Sequence, residues 1–556
     1  MYYEVVVSGS DKRIVCSTPD ELYPAERVLL EYRGDQIRGY VISKVTFSKG
    51  AVRIRGRDGI SFLAGEYLEL AKWMAKRFHS PLGKILDLFF PDGLDDYIRE
   101  MVVPQSPLLD FEEMPLEDFL KKYGEETLNQ CMKRGFVMLR KQFFFRAPKP
   151  RFKKRVFLRE DALKNIEASL TLKQRMVIEY LCFNNGSPVE EILEELGITQ
   201  SVLETLQQKG VVEIREEDVI PKFSERRERK EIQLDKSNLF FGPTGSGKTG
   251  TLFEIVGEYS KKGQILFLVP EVSVLMHTVA RLKGLYPELK VAIYHSYLTK
   301  TRKIFEWYRV VSGDAHVLIG TRSALFVPAK NLKLIIVDEE HDESFYQFSE
   351  PSYDAVEVAK TLATLLDVPI ILSSASPSLK TYFEAREGKV KLFRFEKRCA
   401  ETAFEIVDMR KEEKIGSFAK RTLEEIGKTV RSGKKVLIFV RRKGFWGRVQ
   451  CVTCGYVLLC PNCDVALSYH VDIDAFKCHQ CGFEEKVYDV CPRCGGILRG
   501  RGTGTERVEK ELMNYLPGVK VKRIDREVVE DPMEVEDYVD DLLRGKIDVL
   551  VGTKMI

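Results

Sequence analysis

A glycine-rich loop constrains the fold of this chain more than any other feature. The loop reads Gly242-Pro-Thr-Gly-Ser-Gly-Lys-Thr249, and it stands between an apolar segment, Asn238 to Phe241, and a helical apolar pattern. Strand, loop and helix in that order let backbone N–H groups surround phosphate oxygens, with the helix N-terminus adding partial positive charge. The sequence therefore predicts an α/β domain with a parallel sheet and a bound nucleotide.

All residues of this loop are candidate nucleotide-binding residues. They are Gly242, Pro243, Thr244, Gly245, Ser246, Gly247, Lys248 and Thr249. Lys248 is expected to reach the β- and γ-phosphates of ATP, and the Thr249 hydroxyl is expected to bind Mg²⁺. We assign Lys248 a catalytic role.

An acidic tetrad, Asp338-Glu-Glu-His341, follows the apolar run Leu334 to Val337. Carboxylates at the end of a buried strand can bind Mg²⁺ and polarise an attacking water. Asp338 is predicted to take the first role and Glu339 the second, both as catalytic residues. This interpretation expects the glycine-rich loop on a neighbouring strand of the same sheet.

Short continuous apolar runs, typical of buried parallel strands, continue through the second half of the chain. The first series comprises Asn238 to Phe241, Ile265 to Val269, Val317 to Ile319, Leu334 to Val337 and Ile370 to Leu372. A second series comprises Lys435 to Val440, Val519 to Arg523 and Ile547 to Val551. The sequence therefore predicts two α/β lobes.

Four C-x-x-C pairs interrupt the second series. They are Cys451/Cys454, Cys460/Cys463, Cys478/Cys481 and Cys491/Cys494. Eight thiolates complete two tetrahedral Zn²⁺ sites, so we predict two zinc ions per chain with a structural role. Two alternatives are that His470 or His479 substitutes as a ligand, and that one zinc leaves four thiols free.

The remaining cysteines are scattered and are predicted to be small apolar residues. They are Cys16, Cys131, Cys182 and Cys399.

The first 65 residues alternate as strands do and predict a small β-domain, after which the periodicity becomes helical. Residues 104–115 are interpreted as a linker. The stretch Leu172 to Ile214 combines broken helical runs with a final β-branched segment. It favours a winged helix, with a three-helix packing domain as the alternative.

A chain of 556 residues needs several domains. It is 44% hydrophobic and 31% charged, with no apolar run of about 20 residues, which predicts a globular, cytoplasmic protein without a membrane partner.

The net charge of +4 is too small to prove nucleic-acid binding. Basic clusters occur at Arg146 to Arg155, Arg226 to Lys230 and Arg441 to Lys443; they suit a phosphate backbone, although solvated linkers remain the alternative.

With loop, tetrad and zinc module in place, the chain from about residue 20 to its end resembles the PriA family of primosomal replication-restart helicases, in helicase superfamily 2. The zinc module and the stretch from Tyr67 to Gly93 contribute to the resemblance. Further matching motifs are Leu268-Val-Pro-Glu271, Tyr294-His-Ser296, Gly320-Thr-Arg-Ser-Ala-Leu-Phe326, Val337-Asp-Glu-Glu-His-Asp342, Ser374-Ala-Ser-Pro-Ser378 and Gly502-Thr-Gly-Thr-Glu506.

The resemblance implies an ATP-dependent 3′-to-5′ DNA helicase that recognises stalled forks and initiates replication restart. Its implied partners are forked and single-stranded DNA, primosome proteins, single-stranded DNA-binding protein and the replicative helicase. It also implies nested zinc sites, with Cys451, Cys454, Cys491 and Cys494 around one ion and Cys460, Cys463, Cys478 and Cys481 around the other. Arg322 and Arg441-Arg442 are interpreted as contacts to DNA phosphate or nucleotide.

The resemblance also implies six segments. Residues 1–100 form a β-rich domain that binds a DNA 3′ end, 101–220 a linker and winged helix, and 221–400 the ATP-binding lobe 1. Residues 401–445 begin lobe 2, 446–500 form the zinc insertion, and 501–556 continue lobe 2.

Several positions depart from the family pattern. Ser376 replaces a threonine, two arginines are missing between Pro351 and Glu357, no adenine-reading Gln motif precedes the loop, and residues around Ile14 to Ser17 lack the pair that reads the 3′ end. The chain ends at Val551-Gly-Thr-Lys-Met-Ile556, before the family's arginine-finger segment. We therefore expect a truncated chain that binds nucleotide and DNA but hydrolyses ATP poorly. The alternatives are a natural short form, a non-translocating fork-binding scaffold, and a double-strand translocase.

Overall fold

In the computed structural model the chain divides into two units, Met1–Cys399 and Ala400–Ile556. It describes residues 1–46, 50–58, 62–105, 109, 111–143, 153–159, 171–183, 187–189, 192–193, 196–217, 232–396, 403–440, 448–470, 473–501, 504–524, 538, 541–542 and 545–553. No helix within these ranges is long and apolar enough to cross a membrane.

The first unit begins with a closed five-stranded barrel, in agreement with the predicted small β-domain. Its strands are β1 (Tyr2–Val7), β2 (Arg13–Ser17), β3 (Arg27–Tyr32), β4 (Asp35–Val45) and β5 (Val52–Arg57). They are joined in the order β1-β2-β5-β3-β4. Alternate side chains, among them Val5, Cys16 and Leu30, fill the barrel interior, as the two-residue period of a strand requires.

Two helices follow the barrel, α1 (Gly65–Arg77) and α2 (Leu82–Asp87). The buried face of α1, which includes Tyr67, Leu70 and Met74, belongs to the same hydrophobic core as the first α/β lobe. The indole Nε1 of Trp307 donates a 2.9 Å hydrogen bond to the Phe89 carbonyl, which follows α2. The barrel and the first lobe therefore share one core through these helices.

A small α/β element lies around the segment interpreted as a linker. It contains β6 (Ile98–Pro104), β7 (Met114–Pro115), α3 (Leu116–Tyr123), α4 (Glu125–Lys133) and β8 (Val137–Phe143). The sheet order is β7-β6-β8, and Val102, Phe119 and Leu128 are buried in its core. The described residues of 104–115 thus belong to a packed element rather than to a plain connection.

The next element matches the predicted winged helix better than a three-helix domain. It contains β9 (Lys153–Leu158), α5 (Leu172–Phe183), β10 (Ser187–Pro188), α6 (Gln200–Gln208) and β11 (Val212–Glu217). The strands form an antiparallel sheet in the order β10-β9-β11. Helices with an antiparallel sheet are the winged arrangement, and Val177, Leu203 and Val212 lie in their shared core.

Lobe 1 is a seven-stranded parallel sheet with helices between its strands. The strands are β12 (Ser237–Phe241), β13 (Gln264–Leu268), β14 (Val291–Tyr294), β15 (Val317–Gly320), β16 (Leu332–Asp338), β19 (Ile370–Ser374) and β20 (Lys391–Arg394), in the order β14-β15-β13-β16-β19-β12-β20. A short hairpin, β17 (Tyr346–Gln347) and β18 (Tyr353–Asp354), lies outside the sheet. The helices are α7 (Lys248–Tyr259), α8 (Val272–Leu285), α9 (Lys300–Val311), α10 (Ala355–Leu365) and α11 (Leu379–Arg386). All five strands of the first predicted series are present.

The second unit contains the second parallel sheet and the cysteine-rich module. The sheet has the order β23 (Val436–Phe439), β30 (Val549–Gly552), β29 (Val521–Ile524), and α12 (Lys420–Arg431) and α13 (Thr505–Tyr515) supply apolar residues to its core. A short hairpin, β21 (Lys414–Ile415) and β22 (Phe418–Ala419), precedes α12. The module is inserted between β23 and α13. It contains the ribbon β24 (Arg448–Cys451) with β28 (Leu498–Arg501), and the sheet β25 (Ser468–His470), β26 (Ala475–Lys477), β27 (Glu484–Lys486).

Candidate nucleotide site and metal centres

The glycine-rich loop joins β12 to α7 and has the backbone conformation that its glycines allow. Gly245 and Gly247 have φ angles of 78° and 93°, in the left-handed region that glycine adopts without strain. Gly247 caps α7, so the helix begins at Lys248. Backbone N–H groups of the loop and the first turn of α7 are therefore available to an anion.

Lys248 lies inside its own loop. Its Nζ donates to the carbonyl oxygens of Gly242 and Pro243 at 2.6 Å and 3.2 Å. Burial lowers the pKa of Lys248, and the nearby carboxylates of Glu339 and Asp338 oppose that effect. A phosphate group that replaced the two carbonyls would give this buried ammonium a stronger partner.

The acidic tetrad begins at the last residue of β16. Asp338 is 7% exposed, and burial, together with the charge of Glu339, raises the pKa of its carboxyl group. Glu339 has a φ angle of 49°, which is strained for a residue other than glycine. Such strain concentrates at functional sites, because the surrounding structure must hold it in place.

One predicted relationship is wrong: the loop and the tetrad are not on neighbouring strands. Strand β19 lies between them, since Phe241 of β12 is paired with Ser374 and Asp338 of β16 is paired with Ser373. The N–H of Gly242 donates to the Ser374 carbonyl at 3.3 Å. The serine-rich segment, residues 373–378, begins with the last two residues of β19, lies between the two motifs and contacts both.

His341 and Glu339 contact this serine-rich segment. The Nδ1 atom of His341 lies 2.8 Å from the Ser374 hydroxyl, which accepts from the Ser376 N–H at 2.9 Å. The Ala375 N–H points to Glu339 Oε2 at 3.5 Å. Tetrad and serine segment are thus joined by side chains as well as by the sheet.

Glu340 makes the tightest link, and its role was missed in the sequence. Glu340 is 4% exposed, and its carboxylate accepts hydrogen bonds from the Ser378 N–H at 2.7 Å, the Ser378 hydroxyl at 3.1 Å and the Thr381 hydroxyl at 3.2 Å. Ser378 is also the N-cap of α11. The available signal was a serine before a helical segment, a common N-cap pattern.

The loop fits a nucleotide triphosphate. Among the described residues, the buried Ser246 hydroxyl has no hydrogen-bond partner, and a buried donor of this kind is costly unless a ligand satisfies it. Thr249 lies in the first turn of α7, directly after Lys248. The loop, Lys248 and the tetrad carboxylates are residues that could hold phosphates together with a divalent cation.

The four C-x-x-C segments share one backbone conformation. In each, the N–H of the residue after the second cysteine donates to the carbonyl of the first cysteine at 2.9–3.1 Å. That residue has a positive φ angle in all four cases: Gly455, Asp464, Gly482 and Gly495. The sequence contains the signal for this turn, because the residue after the second cysteine of each pair is glycine in three cases and aspartate in one.

The cysteines form two groups of four, and the groups are nested as the resemblance implies. Cys451, Cys454, Cys491 and Cys494 form one group, and Cys460, Cys463, Cys478 and Cys481 the other, with all Sγ atoms of a group within 4.8 Å of one another. Three Sγ pairs are 3.6–3.8 Å apart. Tetrahedral zinc with bonds of about 2.3 Å requires sulfur atoms about 3.8 Å apart, so both groups fit Zn²⁺.

Backbone donors favour the thiolate form at one cysteine of each group. Hydrogen bonds from the backbone of Cys454 and Thr453 lower the pKa of Cys451 to about 6. The backbone of Phe483 has the same effect on Cys481, whose pKa is also lowered to about 6. Contacts with the neighbouring thiols Cys481 and Cys454 raise the pKa of Cys463 and Cys494 to about 12. Metal binding requires deprotonated thiols, so the backbone contacts favour one ligand of each group.

The two module histidines are hydrogen-bonded to other groups. His470 Nδ1 lies 2.8 Å from Glu506 Oε1, and its Nε2 lies 3.3 Å from His479 Nε2. Arg523 Nη1 is 3.3 Å from the same Glu506 oxygen. Neither histidine belongs to a cysteine group. His470 instead connects the module to α13.

Other predicted site residues have different outcomes. Arg322 donates to the carbonyls of Ser344 and Tyr346, so it orders the segment after the tetrad. Arg441 and Arg442 lie outside the described residues, as do Gly502, Thr503 and Cys399. Cys16 is buried in the barrel, which raises its pKa to about 12, whereas Cys131 is half-buried.

Comparison with known proteins adds sequence relatives. The family description "Type III restriction enzyme, res subunit" matches residues 200–370, and "PriA DNA helicase Cys-rich region (CRR) domain" matches residues 460–486. The replication restart protein PriA of Thermotoga maritima is 56% identical over 100% of this chain and 76% of its own length. That of Chlamydia pneumoniae is 29% identical over 100% and 74%, and that of Bacillus subtilis 33% over 69% and 52%.

The class of protein is an ATP-hydrolysing helicase with structural zinc. Its first parallel sheet carries the phosphate loop, the acidic tetrad and the serine-rich segment at one edge. The second unit adds another α/β sheet and two four-cysteine centres. The chain belongs to the replication restart protein PriA family. The predicted fold class, family and enzyme class are confirmed, and so are the cofactors: ATP with Mg²⁺, and Zn²⁺ at two four-cysteine sites.

Proposed function

We propose that this helicase moves 3′-to-5′ on DNA, recognises stalled replication forks and initiates restart by primosome assembly and replicative helicase loading. The proposed partners are forked and single-stranded DNA, primosome proteins, single-stranded DNA-binding protein and the replicative helicase. The proposed location is the cytoplasm. The observation that most supports an ATP-driven enzyme is that β19 and its hydrogen bonds connect the loop, the tetrad and the serine-rich segment.

Lys248, Asp338 and Glu339 would perform the hydrolysis. The Lys248 ammonium would exchange its two carbonyl partners for β- and γ-phosphate oxygens, and the remaining loop residues from Gly242 to Thr249 would surround the phosphates. Asp338 would hold Mg²⁺, which supplies charge neutralisation when bound. Glu339 would orient the attacking water and accept its proton.

The eight cysteines would hold the two structural zinc ions. Cys451, Cys454, Cys491 and Cys494 would bind one ion, and Cys460, Cys463, Cys478 and Cys481 the other. Four thiolates would close the coordination sphere of each ion, so no position would be left for a reacting water. Both ions would therefore stabilise the module rather than take part in hydrolysis.

A lysine substitution tests the hydrolytic assignment. Lys248→Ala should lower DNA-stimulated ATP hydrolysis about 10²–10³-fold, because it removes a fixed charge at the transferred phosphate. Lys236→Ala is the matched control, since Lys236 is exposed in the same lobe and its ammonium pairs only with Asp367 among the described residues. Undiminished hydrolysis in Lys248→Ala would refute the assignment.

Partial duplexes with single-stranded tails of either polarity test direction and substrate. We expect displacement with a 3′ tail, none with a 5′ tail, and tighter binding to forks than to linear duplex. The alternative is a fork-binding scaffold that does not translocate, favoured by the missing arginines at Ser352 and Val356. Fork binding without displacement of either substrate would support the scaffold and refute the translocase.

A further inference from the structure

The stem of the zinc module is a two-stranded ribbon with two different faces. Strands β24 and β28 are antiparallel, with Val449 opposite Gly500 and Cys451 opposite Leu498. Val449 and Leu498 are 2% and 6% exposed and belong to the core of the module. Because side chains alternate along a strand, the residues between them lie on the opposite, outer face.

That outer face is basic. It carries the side chains of Arg448, Gln450 and Arg499, and both arginines are exposed. In the part of the chain that the structure describes, neither guanidinium has an ion pair or a side-chain hydrogen bond.

Four other arginines of the same unit are paired with carboxylates. Arg410 pairs with Asp408, Arg421 with Glu405 and Glu412, Arg507 with Glu511, and Arg523 with Glu506. Among the described residues, Arg448 and Arg499 have no such carboxylate partner, and neither have Arg431 and Arg493; Arg448 and Arg499 differ from these two in sharing one face of a ribbon. Unpaired guanidinium groups on one face of a ribbon are available to external anions, and each of them can donate two parallel hydrogen bonds.

We propose that the outer face of the β24–β28 ribbon, defined by Arg448, Gln450 and Arg499, binds the phosphate backbone of duplex DNA. Neither strand, with sequences RVQC and LRGR, contains an aromatic residue on which an unpaired base could stack. A two-stranded ribbon also has the width that a DNA groove accepts. These features favour a duplex over a single strand.

The proposal rests on the proposed DNA-dependent function and deepens it. It assigns the zinc module a contact with the double-stranded part of the substrate, whereas nucleotide hydrolysis depends on the loop and tetrad in the other unit. The two zinc ions would act indirectly, because they hold the residues that flank β24 and β28. The arginines themselves supply only charge and hydrogen-bond donors.

The salt dependence of DNA binding tests whether the ribbon contacts phosphates. The variant is Arg448→Gln with Arg499→Gln in the zinc-loaded 556-residue chain, and the probes are a blunt duplex and a single-stranded oligonucleotide of equal length. Two lost phosphate contacts should reduce the slope of log affinity against log salt by about 1.8 on the duplex. The slope on the single strand and single-strand-stimulated ATP hydrolysis should stay unchanged.

Two controls separate charge from folding. Arg410→Gln with Lys428→Gln removes the same number of charges from exposed positions of the same unit and should leave the duplex slope intact. Arg448→Lys with Arg499→Lys should restore the slope, since lysine keeps the charge. Metal analysis should find two zinc ions in every variant.

The outcomes distinguish this proposal from the proposed function. If the salt slope of duplex binding were the same in the ribbon variant as in the control pair, the proposed DNA contact of the ribbon would be wrong. The remaining candidate partner of its arginines would then be an acidic protein surface. An equal loss on both probes would overturn the duplex assignment. If the unmodified chain bound no DNA and its hydrolysis did not respond to DNA, the proposed function would fail together with the ribbon.

Discussion

The nucleotide site and the zinc module solve the same problem, holding reactive side chains in fixed positions, by different means. In the nucleotide site, Asp338 stands at the end of β16 and Ser374 at the end of β19, and the apolar residues that precede them along these strands are buried in a large core. In the module, four ligand cysteines are themselves core residues: Cys451, Cys460, Cys478 and Cys491. The first site depends on packing, and the second depends on metal.

The two regions differ in this way because their hydrophobic cores differ in size. Lobe 1 has two core clusters on the two faces of a seven-stranded sheet, so it can hold buried carboxylates such as Asp338 despite their desolvation cost. The module has strands of three or four residues and a small core. Elements of that size rarely fold without a metal or disulfide.

Zinc removal should produce the largest difference between the two regions, because it should unfold the module and leave the nucleotide site intact. A zinc-selective chelator, with Mg²⁺ in excess, should release two ions and unfold residues 448–501, because structural zinc supplies about 10 kcal/mol or more to small sites. Hydrogen exchange should show lost protection there and unchanged protection in β12–β20, with nucleotide binding retained. Continued protection of the module after both ions have left would contradict the comparison.

Glu340→Gln should damage the packed region by a smaller amount. The amide cannot accept all three hydrogen bonds from Ser378 and Thr381, so we expect a loss of about 1–3 kcal/mol in the free energy of unfolding of the first unit. Hydrogen exchange at the start of α11 should rise. Glu387→Gln, exposed at the other end of α11, is the control and should have no effect.

Asp338→Asn should change stability in the opposite direction. Burial raises the pKa of Asp338, so the folded state holds a proton more tightly than the unfolded state does. This stabilisation by protonation is complete below the usual carboxyl pKa and disappears as pH rises through the raised value. Asparagine is neutral throughout, so at neutral pH we expect a gain of about 1 kcal/mol, with hydrolysis lost.

Thermal unfolding at several pH values measures this effect. The advantage of the asparagine variant should grow from acid to neutral pH. An advantage that is absent at neutral pH, or largest in acid, would show that the buried carboxylate carries no stability cost in lobe 1.

The smallest expected effects lie in the C-x-x-C segments. Gly482 has a φ angle of 78° and open space around its Cα, so Gly482→Ala adds only backbone strain of about 1 kcal/mol. Zinc affinity should fall about fivefold in a competition titration. Asp464→Gly, at the equivalent position of the same cysteine group, should change affinity by less than about twofold, because glycine accepts this conformation. Equal losses in both variants would refute the backbone explanation.

Local sequence predicted the strands of lobe 1 because buried parallel strands are continuous apolar runs. The run Ile370 to Leu372, for example, became the strand Ile370–Ser374. Strand order was beyond reach, since no local pattern states that β19 lies between β12 and β16. The expectation of neighbouring motifs failed for that reason, and the contact of Glu340 with Ser378 and Thr381 was missed with it.

The cysteine spacing predicted two metal centres but could not assign ligands to ions. Four pairs can be combined into two groups in several ways, and the nested choice came from the family resemblance. The sheet β7-β6-β8 shows another limit: β7 has only two residues, and two helices separate it from β8, so no local pattern indicates that these strands pair. The strand β9 was also missed, because it precedes the helical pattern that suggested a winged helix.

The insertion of the module between β23 and β30 has a consequence for biogenesis. Val436 of β23 pairs with Val549 of β30, so the ribosome must finish the whole cysteine-rich segment before the lobe's sheet can form. At about 5–20 residues per second, the nascent chain exposes all eight thiols seconds before that sheet closes. Metal loading during translation would therefore precede completion of the lobe, and zinc starvation would stall maturation of the newly made enzyme.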